Sequence, residues 1–93
     1  MKEVHKELGS IIREYRTRSN FTQLELSQML GYDTTQFVSL FERGLSKVPL
    51  NTLGKLIVIL GIPERKITES LVRAYRENLL NEISLGKKVA QKA

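Results

Sequence analysis

The chain has 93 residues, no cysteine, one histidine and a formal net charge of +5. This length is enough for one small domain, and a chain with this cysteine and histidine content forms no disulfide and cannot assemble a zinc site by itself. We therefore expect a single domain that binds no metal or other cofactor, in a reducing compartment.

Neither a signal sequence nor a membrane-spanning segment is expected. The amino-terminal residues are charged and lack the apolar stretch of a signal peptide. The most apolar run, residues 56–62, is too short to cross a bilayer. Lys87, Lys88 and Lys92 follow residue 84, which leaves 12 basic against 10 acidic side chains in residues 1–84. The net charge is therefore only a weak indication of a nucleic-acid partner, and we expect a soluble cytoplasmic protein.

The first predicted helix runs from about Glu3 to Arg18. Apolar residues between Val4 and Tyr15 recur there at spacings of three and four, the period of a helix with one buried face. The polar pair that follows, Ser19 and Asn20, ends it.

Residues 21–44 predict two short helices joined by a tight turn. Thr22 and Glu25 have the spacing of a capping box, so a helix should begin there, and Gly31 should end it. Residues 33–36 repeat the capping pattern, and Phe37, Val38 and Phe41 follow as a second apolar face that we expect to point inward. Two helices so close in the chain must cross at a steep angle.

Two further helices are predicted after Gly44. The fourth runs from about Leu50 to Leu60, and the fifth begins near Pro63 and continues to about Ser84. A helix of that length extends for about 30 Å, longer than the body on which it must pack. We expect part of its apolar stripe to meet a second copy of the chain, although folding back to complete the monomer core is the alternative. Residues 85–93 are predicted to be a short, disordered basic tail.

The motif resembles the Cro/CI-type helix-turn-helix proteins, the phage-repressor-like (xenobiotic-response-element) family of bacterial and phage regulators. The resemblance covers about Leu8 to Ile62. It depends on the Thr-Gln opening at Thr22, on Leu26-Ser27 and Leu30-Gly31, and on Ser39 followed by Phe41-Glu42-Arg43-Gly44. It implies an all-α, phage-repressor-like DNA-binding domain. Together with the helices predicted above, this gives a five-helix domain over residues 1–84, in which the extended carboxy-terminal helix (about 63–84) is expected to serve dimerisation.

The resemblance also implies a function and a site. The function is that of a sequence-specific transcriptional regulator, most often a repressor in this family, which binds double-stranded DNA as a homodimer in the cytoplasm, at the nucleoid. The second helix of the motif, about residues 33–43, would enter the major groove. Base-reading candidates are Thr34, Thr35, Gln36 and Ser39. Phosphate-contact candidates are Thr22, Gln23, Arg43, Lys47 and Asn51. The apolar faces of the fourth and fifth helices add the dimerisation candidates Val58, Ile59, Leu71, Tyr75, Leu79 and Ile83.

The family pattern further implies that Arg16 pairs with Glu42 and clamps the first helix against the third, although a solvated surface arginine is the alternative. The chain departs from the pattern in two places. The segment from Gly31 to Gly44 has one residue more than the commonest family spacing, and Leu40 replaces the usual basic residue before Phe41.

A protein-interaction module with the same fold is the alternative function. Its partner would be a toxin or a polymerase subunit held by the apolar faces of the last two helices, and the nearly balanced charge of the body favours it. We do not expect an enzyme, because no catalytic triad, phosphate-binding glycine loop or paired carboxylates are evident, and no small-molecule ligand is predicted.

Overall fold

The computed structural model describes residues 2–92, which form five α-helices and no strand. These are α1 (Lys2–Arg18), α2 (Gln23–Met29), α3 (Gln36–Glu42), α4 (Leu50–Leu60) and α5 (Glu64–Lys92). The predicted all-α, five-helix architecture is confirmed. None of the described helices is both long and apolar enough to cross a membrane.

One hydrophobic core joins the helices. Helix α1 contributes a buried residue at nearly every turn, and α2, α3, α4 and the first turn of α5 close around it. The core residues are Val4, Leu8, Ile12, Tyr15, Leu26, Leu30, Val38, Phe41, Val48, Leu53, Leu56, Leu60, Ile62 and Ile67. Their spacing of three and four within each helix is the reason these amphipathic segments are helical.

A glycine allows α1 and α3 to approach closely. Gly9 is buried in the middle of α1, and a Cβ at this position would lie 2.7 Å from the carbonyl oxygen of Glu42 and closer still to that of Phe41. Any larger residue would push the two helices apart. The backbone of α1 thus fixes the position of the carboxy-terminal end of α3.

The two helices of the motif begin differently. The predicted capping box of α2 is confirmed, since the Glu25 N–H donates to Thr22 Oγ1 at 3.0 Å and the Thr22 N–H donates to Glu25 Oε1 at 2.9 Å. The predicted capping box at Asp33 is wrong. Helix α3 begins at Gln36, and its cap residue Thr35 has helical rather than extended dihedral angles, so its side chain accepts no capping bond.

Helix α5 extends beyond the body. Ile67 and Ser70 are buried and Leu71 and Ala74 half-buried, whereas every residue from 75 to 92 is exposed. The molecule consequently measures 56 × 25 × 18 Å.

The prediction of a disordered tail from residue 85 is wrong over residues 85–92, which continue α5. Leu, Lys and Ala favour the helix there, and no proline interrupts it. The last residue, Ala93, lies outside the described part of the chain.

Candidate nucleic-acid interface

The turn between α2 and α3 is fixed by backbone hydrogen bonds. The Gly31 N–H donates to Gln28 O at 3.0 Å, and the Tyr32 N–H donates to Ser27 O at 2.9 Å. Gly31 has φ of +87°, which a glycine adopts without steric cost. These bonds satisfy carbonyl groups at the end of α2 and set the direction in which α3 leaves.

A charged cluster holds α1, α2 and α3 together. Arg16 donates from Nε to Glu42 Oε2 at 2.5 Å and from Nη2 to Glu42 Oε1 at 3.0 Å. Its Nη1 donates to Phe21 O at 2.8 Å, and Gln23 Nε2 donates to Glu42 Oε1 at 3.0 Å. The side chains of Arg16 and Glu42 are only 14% and 3% exposed. Bidentate pairing of this kind gives a fixed geometry.

The cluster also affects the ionisation of the arginine. The hydrogen bond with Glu42 raises the pKa of Arg16 above its ordinary value, since the bond favours the charged guanidinium more than partial burial disfavours it. The guanidinium of Arg16 therefore keeps its charge at every pH below that range.

The base-reading candidates lie in α3 and in the turn that precedes it. Val38 and Phe41 face the core at 1% and 2% exposure. On a helix with 100° per residue, Gln36 and Arg43 then point away from the core, with Ser39 beside them. Gln36 is exposed and Ser39 is partly exposed. Thr34 and Thr35 belong to the turn rather than to the helix, and Thr34 Oγ1 accepts the Gln36 N–H at 3.3 Å.

The phosphate-contact candidates flank α3. Gln23 lies beside the end of α3 through its bond to Glu42, and Arg43 follows Glu42 directly. Lys47 is exposed in the loop after α3, and Asn51 is exposed in the first turn of α4. Two side chains are partly engaged. The amide of Gln23 donates one hydrogen bond to Glu42 and has a second proton free to donate. The Thr22 hydroxyl accepts the Glu25 N–H and can still donate its own proton.

The structure corrects the prediction that Phe37 faces inward. Its ring is 46% exposed and stacks on Tyr32, with ring centroids 4.8 Å apart. Leu40 is partly exposed and does not join the core. Helical geometry explains both positions, because only residues near the direction of Val38 and Phe41 can point inward. The sequence could have indicated this orientation of α3, because taking Val38 and Phe41 as the buried pair already turns Phe37 and Leu40 away from the core.

The dimerisation candidates divide into three groups. On α4, Val58 is 82% exposed and Ile59 is half-buried. On α5, Tyr75, Leu79 and Ile83 are exposed along one side. Leu71, like Ile59, packs against the core of its own chain, so these two residues are less available than the other four. Val72, which the sequence analysis did not include, is exposed and extends the α5 stripe towards the body.

Among residues 2–92, no three side chains of the metal-binding types come together. The geometry provides a short helix, α3, that packs on α1 and α2 and presents polar side chains to solvent, with basic side chains nearby. This is the arrangement of a helix-turn-helix DNA-binding domain of the phage-repressor type.

Comparison with known proteins agrees with this class. The family model HTH_3, helix-turn-helix, matches residues 12–67. The chain therefore belongs to the Cro/CI-type helix-turn-helix family of DNA-binding proteins. No match is found among curated proteins.

Among solved structures, the chain is similar to the clp gene regulator ClgR from Corynebacterium glutamicum. The TM-score is 0.63 at 20% sequence identity, over 89% of this chain and 93% of that one. At this identity the similarity is evidence of a shared fold.

Proposed function

We propose that the protein is a sequence-specific transcriptional regulator that binds an operator as a homodimer and represses by occupying it. The observation that carries the proposal is the exposed outer face of α3, held by the buried Arg16–Glu42 pair on one side and the core on the other. A rigid helix with a free polar face at its amino-terminal end can enter the major groove without reorganisation.

In the proposed complex, base reading begins at the amino-terminal end of α3. Gln36 is the strongest candidate, because a glutamine amide can bond N6 and N7 of adenine together and discriminate by about 1–3 kcal/mol. Thr34, Thr35 and Ser39 add weaker contacts through hydroxyl and methyl groups. The remaining candidates contact phosphates and set the position of the helix, namely Thr22, Gln23, Arg43, Lys47 and Asn51.

The proposed dimer uses α5. Val72, Tyr75, Leu79 and Ile83 follow one another at spacings of three, four and four and are all exposed. By helical geometry, this stripe is turned about 155° away from the side on which Ile67 and Ser70 pack. The body of the chain therefore leaves the stripe uncovered. A second copy of the chain is the partner that is always present to cover it. Gly86 continues the stripe and allows close approach of another helix.

A symmetric dimer predicts a symmetric operator. Two copies of α3 would reach half-sites about one helical turn, or roughly 34 Å, apart. Bound in this way, the dimer would compete with polymerase for the same stretch of DNA in the cytoplasm, at the nucleoid.

Selection of duplexes from a random-sequence pool tests this proposal. The full-length chain should enrich a palindromic motif, and Gln36→Ala should relax the preference at one base pair of each half-site. Gln28→Ala is the matched control, because Gln28 is an exposed glutamine of α2 outside the proposed contacts. Failure to enrich any motif would favour the alternative of a protein-interaction module, for which the nearly balanced charge of the body is the supporting observation.

A further inference from the structure

The DNA-facing helix carries an apolar patch that neither the core nor the proposed polar contacts use. Phe37 is 46% exposed, and Leu40, three residues later, is partly exposed and outside the core. Residues three apart on a helix are surface neighbours, so the two side chains form one continuous patch. We call it the Phe37–Leu40 patch.

The aromatic half of the patch is held in place. Tyr32 stacks on the Phe37 ring with an interplanar angle of 30°, and the Phe41 ring lies 6.3 Å from it, centroid to centroid. Phe41 is itself buried in the core. The exposed edge of Phe37 therefore has a fixed position at the second residue of α3, the end of the helix that enters the groove.

The chemistry of the surrounding residues restricts what the patch can recognise. From Thr34 to Phe41 the chain has no charged side chain, and Gln36 is the only amide. In the major groove, the edges of guanine, cytosine and adenine present hydrogen-bonding groups, whereas thymine also presents a methyl group at C5. The thymine methyl is the one apolar group that an aromatic or leucine side chain can contact there.

We propose that Phe37 and Leu40 specify thymine by contacting its C5-methyl group, at positions next to the base pair that Gln36 reads. This inference rests on the proposed function, since it requires α3 to occupy the major groove. It predicts that thymine specificity in each half-site depends on burial of a methyl group as well as on hydrogen bonds.

Replacement of thymine by deoxyuridine tests the contact directly, because it removes only the C5-methyl group and keeps the pairing and the O4 acceptor. In the duplex selected by the full-length chain, each thymine is replaced in turn and the Kd is measured by fluorescence anisotropy at constant salt. We expect one or two thymines per half-site at which the affinity falls about fourfold for each methyl group removed. The remaining thymines should show no change.

Variants then assign the effect to the patch. Leu40→Ala or Phe37→Ala should weaken binding to the thymine duplex. In these variants, replacing thymine by deoxyuridine should then cause no further loss of affinity. Leu85→Ala makes the leucine change far from α3, on an exposed part of α5 off the proposed stripe, and should preserve the fourfold effect. Circular dichroism of each variant checks that the fold is retained.

Three outcomes would overturn the inference. A selected duplex that is insensitive to every deoxyuridine would contradict methyl reading while leaving the proposed DNA-binding function intact. A deoxyuridine effect that persists in both patch variants would assign the methyl contact to other residues. If no duplex is enriched at all, the proposed function itself fails, and the Phe37–Leu40 patch is then a surface for another kind of partner.

Discussion

Loss of Arg16 should destabilise the whole domain. In Arg16→Met, the carboxylate of Glu42 would remain almost fully buried with Gln23 as its one side-chain donor, and the Phe21 carbonyl would lose its bond to Nη1. Removing one partner of a buried ion pair costs about 3–5 kcal/mol, and the 14% exposure of Arg16 favours the lower end of that range.

The measurement is urea unfolding followed by circular dichroism. Proteins of this size have a total stability of about 5–14 kcal/mol, so a loss of about 3 kcal/mol leaves the variant folded at 25 °C but lowers its Tm by roughly 12 °C or more. Replacing both partners, Arg16→Met with Glu42→Leu, should recover at least half of the loss, because no uncompensated charge then remains. A loss below about 1 kcal/mol in the single variant would show that the pair behaves as an ordinary surface contact.

The pH dependence of this contribution has a definite sign. The pKa of Arg16 is raised in the folded state, so its stabilisation is fully present below the ordinary arginine pKa and is lost only as the pH rises through the folded-state value. The difference in stability between wild type and Arg16→Met should therefore be constant from pH 6 to pH 9, as far as Arg16 determines it. A difference that changed within that range would implicate the ionisation of another group.

Four other substitutions have expected outcomes of their own. Gly9→Ala should cost at least about 2 kcal/mol in urea unfolding, since its Cβ would meet backbone atoms of α3. Gly54 is exposed in the middle of α4 with nothing near its Cβ, so Gly54→Ala should gain about 0.5–1 kcal/mol. Equal effects of the two substitutions would contradict the close approach of α1 and α3. Thr22→Ala should cost about 1 kcal/mol through loss of the cap, and no change would indicate that the capping box is dispensable. Leu79→Glu should shift the chain from dimer to monomer in sedimentation equilibrium with its helical content unchanged, and an unaltered mass would remove α5 from the proposed interface.

Much of the fold was predictable because it follows from local patterns. The buried positions of α1 and α4 recur with helical period, and the capping box at Thr22 needs only residues three apart to form. Such signals are contained in a few consecutive residues. For the same reason the end of α5 was misplaced, since Gly86 and three lysines resemble a tail although the helix continues through them.

Other features depend on contacts that no local pattern indicates, because they form only when the chain folds. The role of Gly9 became apparent only when α3 was seen against it, and the stacking of Phe37 on Tyr32 depends on the path of the turn. The pairing of Arg16 with Glu42, 26 residues later, came from the family resemblance, because no local pattern indicates it.

The central claim is that α3 reads a DNA sequence within a dimer, and the salt dependence of binding tests it most directly. Binding of the selected duplex and of a scrambled duplex with equal base composition would be measured between 50 and 200 mM salt. Arg43 and Lys47 on each of two copies give about four cationic phosphate contacts, so log Kobs should fall against log salt with a slope of about −3.6, a loss of roughly 150-fold. Arg43→Gln should reduce the slope by about 1.8. The selected duplex should bind more tightly than the scrambled one at every salt concentration. Equal binding of both duplexes, or an affinity that does not respond to salt, would contradict the proposed function.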